Sequence, residues 1–440
     1  MLYYESALMV ARLKARHHQK LNAYRGYIMT LSHDEQEKAL NTWFTPSQPA
    51  KKNYVGRGHL DKVIERAFSR KGNQVLIYGK TGAGKTSLVF DNLSTLNRLY
   101  GTQYIRIQVS ELMTIESFVA DVAQALNLVR EVNHTVSDSK NNKGGGKLSF
   151  KWLSVQGETS VTNNNSKVVE EYTGNDDFNI IKKVLLKRNT ILFIDDMERM
   201  QDKTLRTRLA EIAKNMSDES ADYYDSYAKI IFVGIASTAD ELMKADISLT
   251  SRLSTIEVPY LEQSESIQIL KQGWNRAELI SNDEQMVQVA HTASGIGHIV
   301  HELGQNIGYS TLDDGSNEIK DEYIDNSIKD VFTSNSLKYR KTLDLAKNKI
   351  GTKINMRNTV LYVMAESDAQ SLPLQDILTA VNKVYAPKVK QTNSISPILS
   401  QLKDSTFNNI LSSDNRNSWA FSDPMFKAYV RAHIHELEHK

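Results

Sequence analysis

The sequence predicts an α/β protein built on a parallel sheet with helices on both faces. Three observations predict it. Val75, Leu76 and Ile77 form a short apolar run that leads at once into a glycine-rich turn. Ile191, Leu192, Phe193 and Ile194 form a second run, which ends on Asp195 and Asp196. Across residues 75–258, strand-like runs alternate with helical patterns, as parallel strands covered on both faces require.

The turn after the first run reads Gly79, Lys80, Thr81, Gly82, Ala83, Gly84, Lys85, Thr86, with Ser87 following. This is the pattern Gly-x4-Gly-Lys-[Ser/Thr] in its expected place, between a strand and a helix. Its glycines allow backbone N–H groups to approach phosphate oxygens that side chains would block. Lys85 adds a point charge for the outer phosphates, and Thr86 offers a hydroxyl to Mg²⁺. A helix opening at Lys85 points its positive end at the anion. The second run ends in the carboxylates such a loop requires: Asp195 suits a water-mediated hold on Mg²⁺, and Asp196 suits orienting the attacking water. Two acids at a strand end also occur in plain turns and helix caps; the order of the two motifs favours the catalytic reading.

Composition narrows the rest. At 440 residues the chain predicts two to four domains, and 40% hydrophobic residues suffice for their cores. A net charge of +2 gives no global field for nucleic acid or membrane. With no cysteine, disulfides, zinc-thiolate sites and cysteine nucleophiles are excluded. No apolar stretch has the length of a membrane span, so no membrane contact is expected. The first residues lack a secretory pattern, and a cytoplasmic protein is expected. Residues 1–25 read as a basic peripheral helix, with Met29 as an alternative start.

Pro46 and Pro49 mark residues 44–50 as an extended linker. Val55, Gly56 and Arg57 then form a small turn placed to pack on an adenine ring. Helical patterns follow at residues 60–68, 86–100 and 114–128, with a strand at 103–109. Residues 133–173 break the pattern: glycine- and asparagine-rich ends flank an alternating Leu148, Phe150, Trp152, Val155 stretch, read as a hairpin insertion. Residues 176–187 and 205–214 read as helices, and 217–227 as an acidic loop. Another buried strand spans 229–237. Its final Ser237 is placed to sense the γ-phosphate, or to cap the next helix. Arg252 closes a helix before a strand at 255–258.

Residues 264–274, 283–293, 296–306 and 323–347 are helical in pattern. The last part offers helices at 360–365, 374–384 and 394–404, two strands at 408–411 and 418–421, and a closing helix to 436. Three helices and a hairpin spell a winged helix, a fold that serves both DNA and protein contacts.

Taken in order, VGR, GKTGAGKTS, FIDDMER, FVGIASTADEL, SR before a strand and GIGHIVHELG resemble the AAA+ P-loop ATPases. The likeness is closest to the origin-recognition and transposition-regulator clade and its bacterial STAND-like relatives. It covers about residues 45–308. It implies a three-layer αβα parallel sheet with a helical lid, joined here to a winged-helix domain. The expected limits are an arm at 1–45, a nucleotide-binding core at 46–258 carrying the 133–173 insertion, a lid and connecting helix at 259–350, and a winged-helix domain at 351–440. It also implies ATP and Mg²⁺ bound between subunits of a homo-oligomer. At the matching positions, Arg252 would reach a neighbour's γ-phosphate and His298 would stand in for the lid arginine. A histidine there, and Asp196 where many relatives carry glutamate, imply slow hydrolysis and switching. Two functions follow. One is an ATP-dependent assembly switch acting on DNA through the winged helix or on a DNA-bound partner. The other is a STAND-type regulator in antiviral defence that activates a separate protein effector.

Overall fold

The computed structural model describes residues 31–128, 130–132, 168–170, 177–334, 336–347, 355–384, 395–414 and 417–437. The arm before residue 31, and the Leu148–Val155 hairpin expected within the insertion, lie outside the described residues.

Five parallel strands form the central sheet: β1 (Gln74–Tyr78), β2 (Gln103–Gln108), β5 (Thr190–Asp195), β6 (Ile230–Gly234) and β7 (Leu253–Glu257), in the order β2-β5-β6-β1-β7. Strand alternation divides their side chains between two cores. Val75, Ile77, Ile191, Phe193, Ile231 and Val233 face one core, while Leu76, Leu192, Ile194, Ile230 and Phe232 face the other. Helices α2 (His59–Ser69) and α3 (Lys85–Tyr100) cover the first face. Helices α4 (Ile115–Ala125), α5 (Asp177–Lys187), α6 (Lys203–Glu219) and α7 (Ala236–Ala245) cover the second. This is the αβα architecture that the resemblance implied.

The ends of the 133–173 insertion are tied together: β3 (Arg130–Val132) pairs antiparallel with β4 (Val168–Glu170).

Three local readings change. Residues 217–219 continue α6 and a 3-10 turn follows at Ser220–Asp222, where a loop was expected. Met216 is buried, and Ser217 Oγ bonds back to the Ala213 carbonyl while accepting from Gln74, so the helix keeps its core contacts one turn further. Arg252 ends a 3-10 turn, Ile247–Arg252, opened by an Asp246 cap. The single helix expected at 323–347 is two, α11 (Asp321–Ser334) and α12 (Ser336–Ala346).

The lid consists of α8 (Gln263–Arg276), α9 (Asp283–Ala293), α10 (Gly297–Asp313) and α11. Helix α1 (His33–Trp43), capped by Ser32 and Glu35, packs on α8 and α10. Phe44 wedges into this contact: a Cβ on Gly273 would stand 2.2 Å from its ring, and one on Gly304 2.4 Å. The lid therefore carries glycines where the ring must fit, and Phe44 anchors the following linker.

The last domain orders as α13 (Met356–Glu366), β8 (Leu372–Pro373), α14 (Leu374–Val384), α15 (Ser396–Lys403), β9 (Leu411–Ser413), β10 (Ser418–Phe421) and α16 (Pro424–Ala432). Its strands form one antiparallel sheet, β8-β10-β9. The short β8 was not expected, and the first hairpin strand lies at Leu411–Ser413 rather than 408–411, because Asn408 and Asn409 hold left-handed φ values that end a 3-10 turn. Arg431 joins this domain to the lid. It donates to the carbonyls of His291, Ala365 and Ser367 and pairs with Asp368.

Candidate functional site

A cleft of about 490 Å³ lies between the glycine-rich turn, the lid and the linker before α2. That volume suits a ligand of nucleotide size. Thr81, Gly82, Ala83, Gly84, Lys85, Thr86 and Ser87 form one wall. Gly82 and Gly84 hold φ of +83° and +84°, which only glycine adopts without strain. A Cβ on Gly82 would also lie 2.8 Å from Ile296 at the lid, so the turn and lid approach through that gap. The Gly297 N–H donates to the Gly82 carbonyl at 3.0 Å, which brings the N-terminus of α10 against the turn.

Lys85 Nζ donates to the carbonyls of Gly79 (2.9 Å) and Lys80 (3.2 Å), folding the lysine back over the turn. Burial lowers its pKa, while Glu198, Asp195 and Asp196 act the other way. Gly79 is buried and Lys80 exposed; neither lines the cleft.

Thr86 Oγ1 lies 3.2 Å from Asp195 Oδ2 and 3.3 Å from Oδ1, so the start of α3 and the end of β5 meet. Asp195 is 1% exposed, and burial raises its pKa. Arg106 opposes that shift, with Nη2 at 2.7 Å and Nε at 3.2 Å from Oδ2. The register explains the pair: Gln108 on β2 stands beside Asp195 on β5, so Arg106 and Gln108 share the carboxylates' side of the sheet. Gln108 Nε2 reaches Asp196 Oδ2 at 2.7 Å. Asp196 lines the cleft and has a left-handed φ of +58°.

Glu198 also lines the cleft, and its Oε2 is buried without a hydrogen-bond partner. Arg106, Gln108 and Glu198 were not singled out from sequence. The alternation of Tyr104, Arg106 and Gln108 along β2 was the available signal for the first two.

Val55 and Arg57 line the cleft, and Gly56 stands between them. The Arg57 guanidinium donates to the carbonyls of Ala83 (3.1 Å), Pro259 (2.9 Å) and Tyr260 (2.8 Å), and pairs with Glu265. Arg57 therefore fastens the glycine-rich turn to the chain leaving β7 and to α8. His298 lines the cleft at the start of α10, and burial lowers its pKa, favouring the neutral ring.

Of the predicted residues, Gly56, Asp195, Ser237 and Arg252 also do not line this cleft. Ser237 is exposed in the first turn of α7; the cap-like bond comes instead from Thr238, whose Oγ1 accepts from Ile235 N–H. Arg252 Nε donates to Asp218 Oδ1 at 2.7 Å and Nη1 to the Ser248 carbonyl at 3.1 Å. It is a third exposed, so it faces outward from its own chain.

The linker supplies the last wall. Thr45, Pro46, Ser47, Gln48, Pro49, Ala50 and Asn53 border the cleft. Ala50 N–H donates to Ser87 Oγ at 3.0 Å, and Thr45 N–H to His301 Nδ1 at 3.2 Å. Burial pushes the His301 imidazole down to about 4, so the ring is neutral and accepts at Nδ1.

Among the described residues, no helix is long and apolar enough to cross a membrane. No family model and no curated protein matches the chain. Solved structures are similar in fold. Cdc6p from Pyrobaculum aerophilum is 12% identical with a TM-score of 0.46, over 90% of this chain and 99% of that one. A Walker-type ATPase of Pyrococcus abyssi is 14% identical with a TM-score of 0.47, over 88% and 99%. The RuvB Holliday junction branch migration motor of Thermotoga maritima is 13% identical with a TM-score of 0.43, over 91% and 99%.

Proposed function

We propose that this chain binds ATP with Mg²⁺ in the cleft, hydrolyses it slowly, and uses the nucleotide state to set its assembly with further copies of itself on DNA or a protein partner. The observation that carries the reading is the convergence of Lys85, Thr86 and Asp195 beneath a wall of glycines. Backbone N–H groups of residues 82–87 would cradle the phosphates, with Lys85 turning from its carbonyls onto the outer oxygens.

The donor set suits Mg²⁺, a hard cation that takes few protein oxygens and keeps its waters. Thr86 would bind it directly and Asp195 through water; when bound, it neutralises charge on the phosphates. No cluster of three or more His, Asp or Glu residues that could hold a metal occurs among the described residues, and a site completed by phosphate oxygens needs none. Asp196 would orient the attacking water while Gln108 fixes its carboxylate. Arg252, a third exposed on its own chain, would act on a neighbour's γ-phosphate, and Ser237 would report the nucleotide state. A neutral His298 lends the cleft no positive charge, which supports slow turnover. The element order of the last domain supports a winged helix as the DNA- or partner-contacting unit.

Titration calorimetry with ATP and Mg²⁺, followed by mass photometry with and without ATP and DNA, tests this. Micromolar binding and a larger species with ATP are expected. A folded chain that neither binds ATP nor changes size would overturn the proposal.

A further inference from the structure

We infer that Asn53 reads the base of the bound nucleotide, and that its side-chain oxygen makes the cleft prefer a 6-aminopurine to a 6-oxopurine. This rests on the proposed nucleotide site and names its base specificity. Asn53 is 1% exposed and borders the cleft. Its Nδ2 donates to the Ile269 carbonyl on α8 at 3.1 Å. A carbonyl can be met only by the NH₂ end of the amide, so this bond fixes which end is which. Oδ1 is therefore committed as an acceptor, and it is buried with no hydrogen-bond partner.

The rest of the cleft agrees. The phosphate wall is residues 81–87, so a nucleotide held there extends its base toward the linker and lid. Val55, Leu261 and Ile269 give that region apolar surface for the flat faces of a purine. Thr45 Oγ1, on the same linker, is a second buried oxygen without a partner. Thr45 is held in place by its N–H bond to His301 and by the Phe44 wedge beside it.

An orphaned buried acceptor is costly, and a ligand that supplies the missing donor recovers that cost. The 6-amino group of adenine is such a donor. A 6-oxo group would set oxygen against oxygen in a site that water cannot easily repair. The linker thereby discriminates between purines through a side chain, while the glycine-rich turn treats all triphosphates alike.

The test is competitive binding of ATP, inosine triphosphate and GTP to the full chain and to its Asn53→Ala and Thr45→Val variants. Inosine triphosphate differs from ATP at the 6-position without adding the 2-amino group of GTP. The parent should prefer ATP to inosine triphosphate by about 10-fold, and Asn53→Ala should bring the two within about threefold. The ratio is its own control, because damage to the fold weakens both ligands together. Thr45→Val should keep most of the preference. Equal binding of ATP and inosine triphosphate by the parent, or an undiminished ratio in Asn53→Ala, overturns the inference while leaving the nucleotide site standing. If no triphosphate binds, the site itself falls, and the inference with it.

Discussion

Arg106 Nη2 lies 2.7 Å from Asp195 Oδ2, so the carboxylate facing Thr86 is ion-paired from the adjacent strand. The pair sits over aromatic rings, with the guanidinium carbon 5.6 Å from the Phe90 centroid and 5.8 Å from Phe193. Burial raises the Asp195 pKa, and Arg106 restrains that rise. Removing Arg106 removes the restraint, so the carboxylate should deprotonate at higher pH. If Asp195 works as the anion, the acid limb of the pH–hydrolysis profile should move to higher pH in Arg106→Ala. An unmoved limb would show that the pair does not tune the site.

Lys85→Ala should weaken ATP binding by about 10- to 100-fold, the range for losing a charge-assisted hydrogen bond to phosphate. Calorimetry measures it directly. Wild-type affinity in this variant would refute the assignment of residues 79–87 to phosphate. The same variant should lose any ATP-induced rise in melting temperature, since stabilisation by a ligand scales with its affinity.

Arg252→Ala should lower hydrolysis at least about 10-fold while leaving ATP affinity within about twofold, as expected for a group that meets only the transition state. Its bonds to Asp218 and Ser248 keep it on the outer surface of its own chain. Mixing Arg252→Ala with Asp196→Asn should therefore restore part of the rate, since some interfaces then combine an intact arginine with an intact aspartate. Absence of any rescue in mixed assemblies would count against action between subunits.

His301 makes stability depend on pH. Its folded pKa is pushed down to about 4 by burial, below the ordinary value of 6.5. The unfolded chain then binds more protons than the folded chain between these values, so stability falls as pH drops through that window. The loss should be on the order of 3 kcal/mol for this one group. Denaturant titrations between pH 7 and pH 4 measure it. His301→Gln, which retains an acceptor for Thr45 N–H, should flatten that part of the curve relative to the parent. An unchanged slope would show that the ring does not titrate as its burial implies.

The elements that were legible beforehand are those with short-range causes. The glycine-rich turn is dictated by φ values that only glycine supplies at 82 and 84, and the helix from Lys85 begins where that turn ends. The end of β5 at Asp195 was equally plain, because an apolar run closes on two charges. Boundaries were less legible where tertiary contact extends or divides an element. Residues 217–219 look like loop by composition, yet Gln74 from a distant strand holds Ser217 in the last turn of α6. Arg57 shows the same limit at the site. It borders the cleft, but the three carbonyls that hold its guanidinium come from residues 83, 259 and 260.

By itself, the sequence determined a glycine-rich turn between strand and helix, a pair of acids at a strand end, and an alternation that calls for a parallel sheet between helix layers. Each depends on neighbours along the chain, so each survives in one dimension. Only the folded chain decided that β2 lies against β5 and delivers Arg106 to Asp195. It also decided that Phe44 threads the lid glycines beside Thr45 and that Asn53 bonds to Ile269, which sets both residues at the cleft. Those contacts join residues separated by tens to hundreds of positions, and strand order and helix packing set which of them meet.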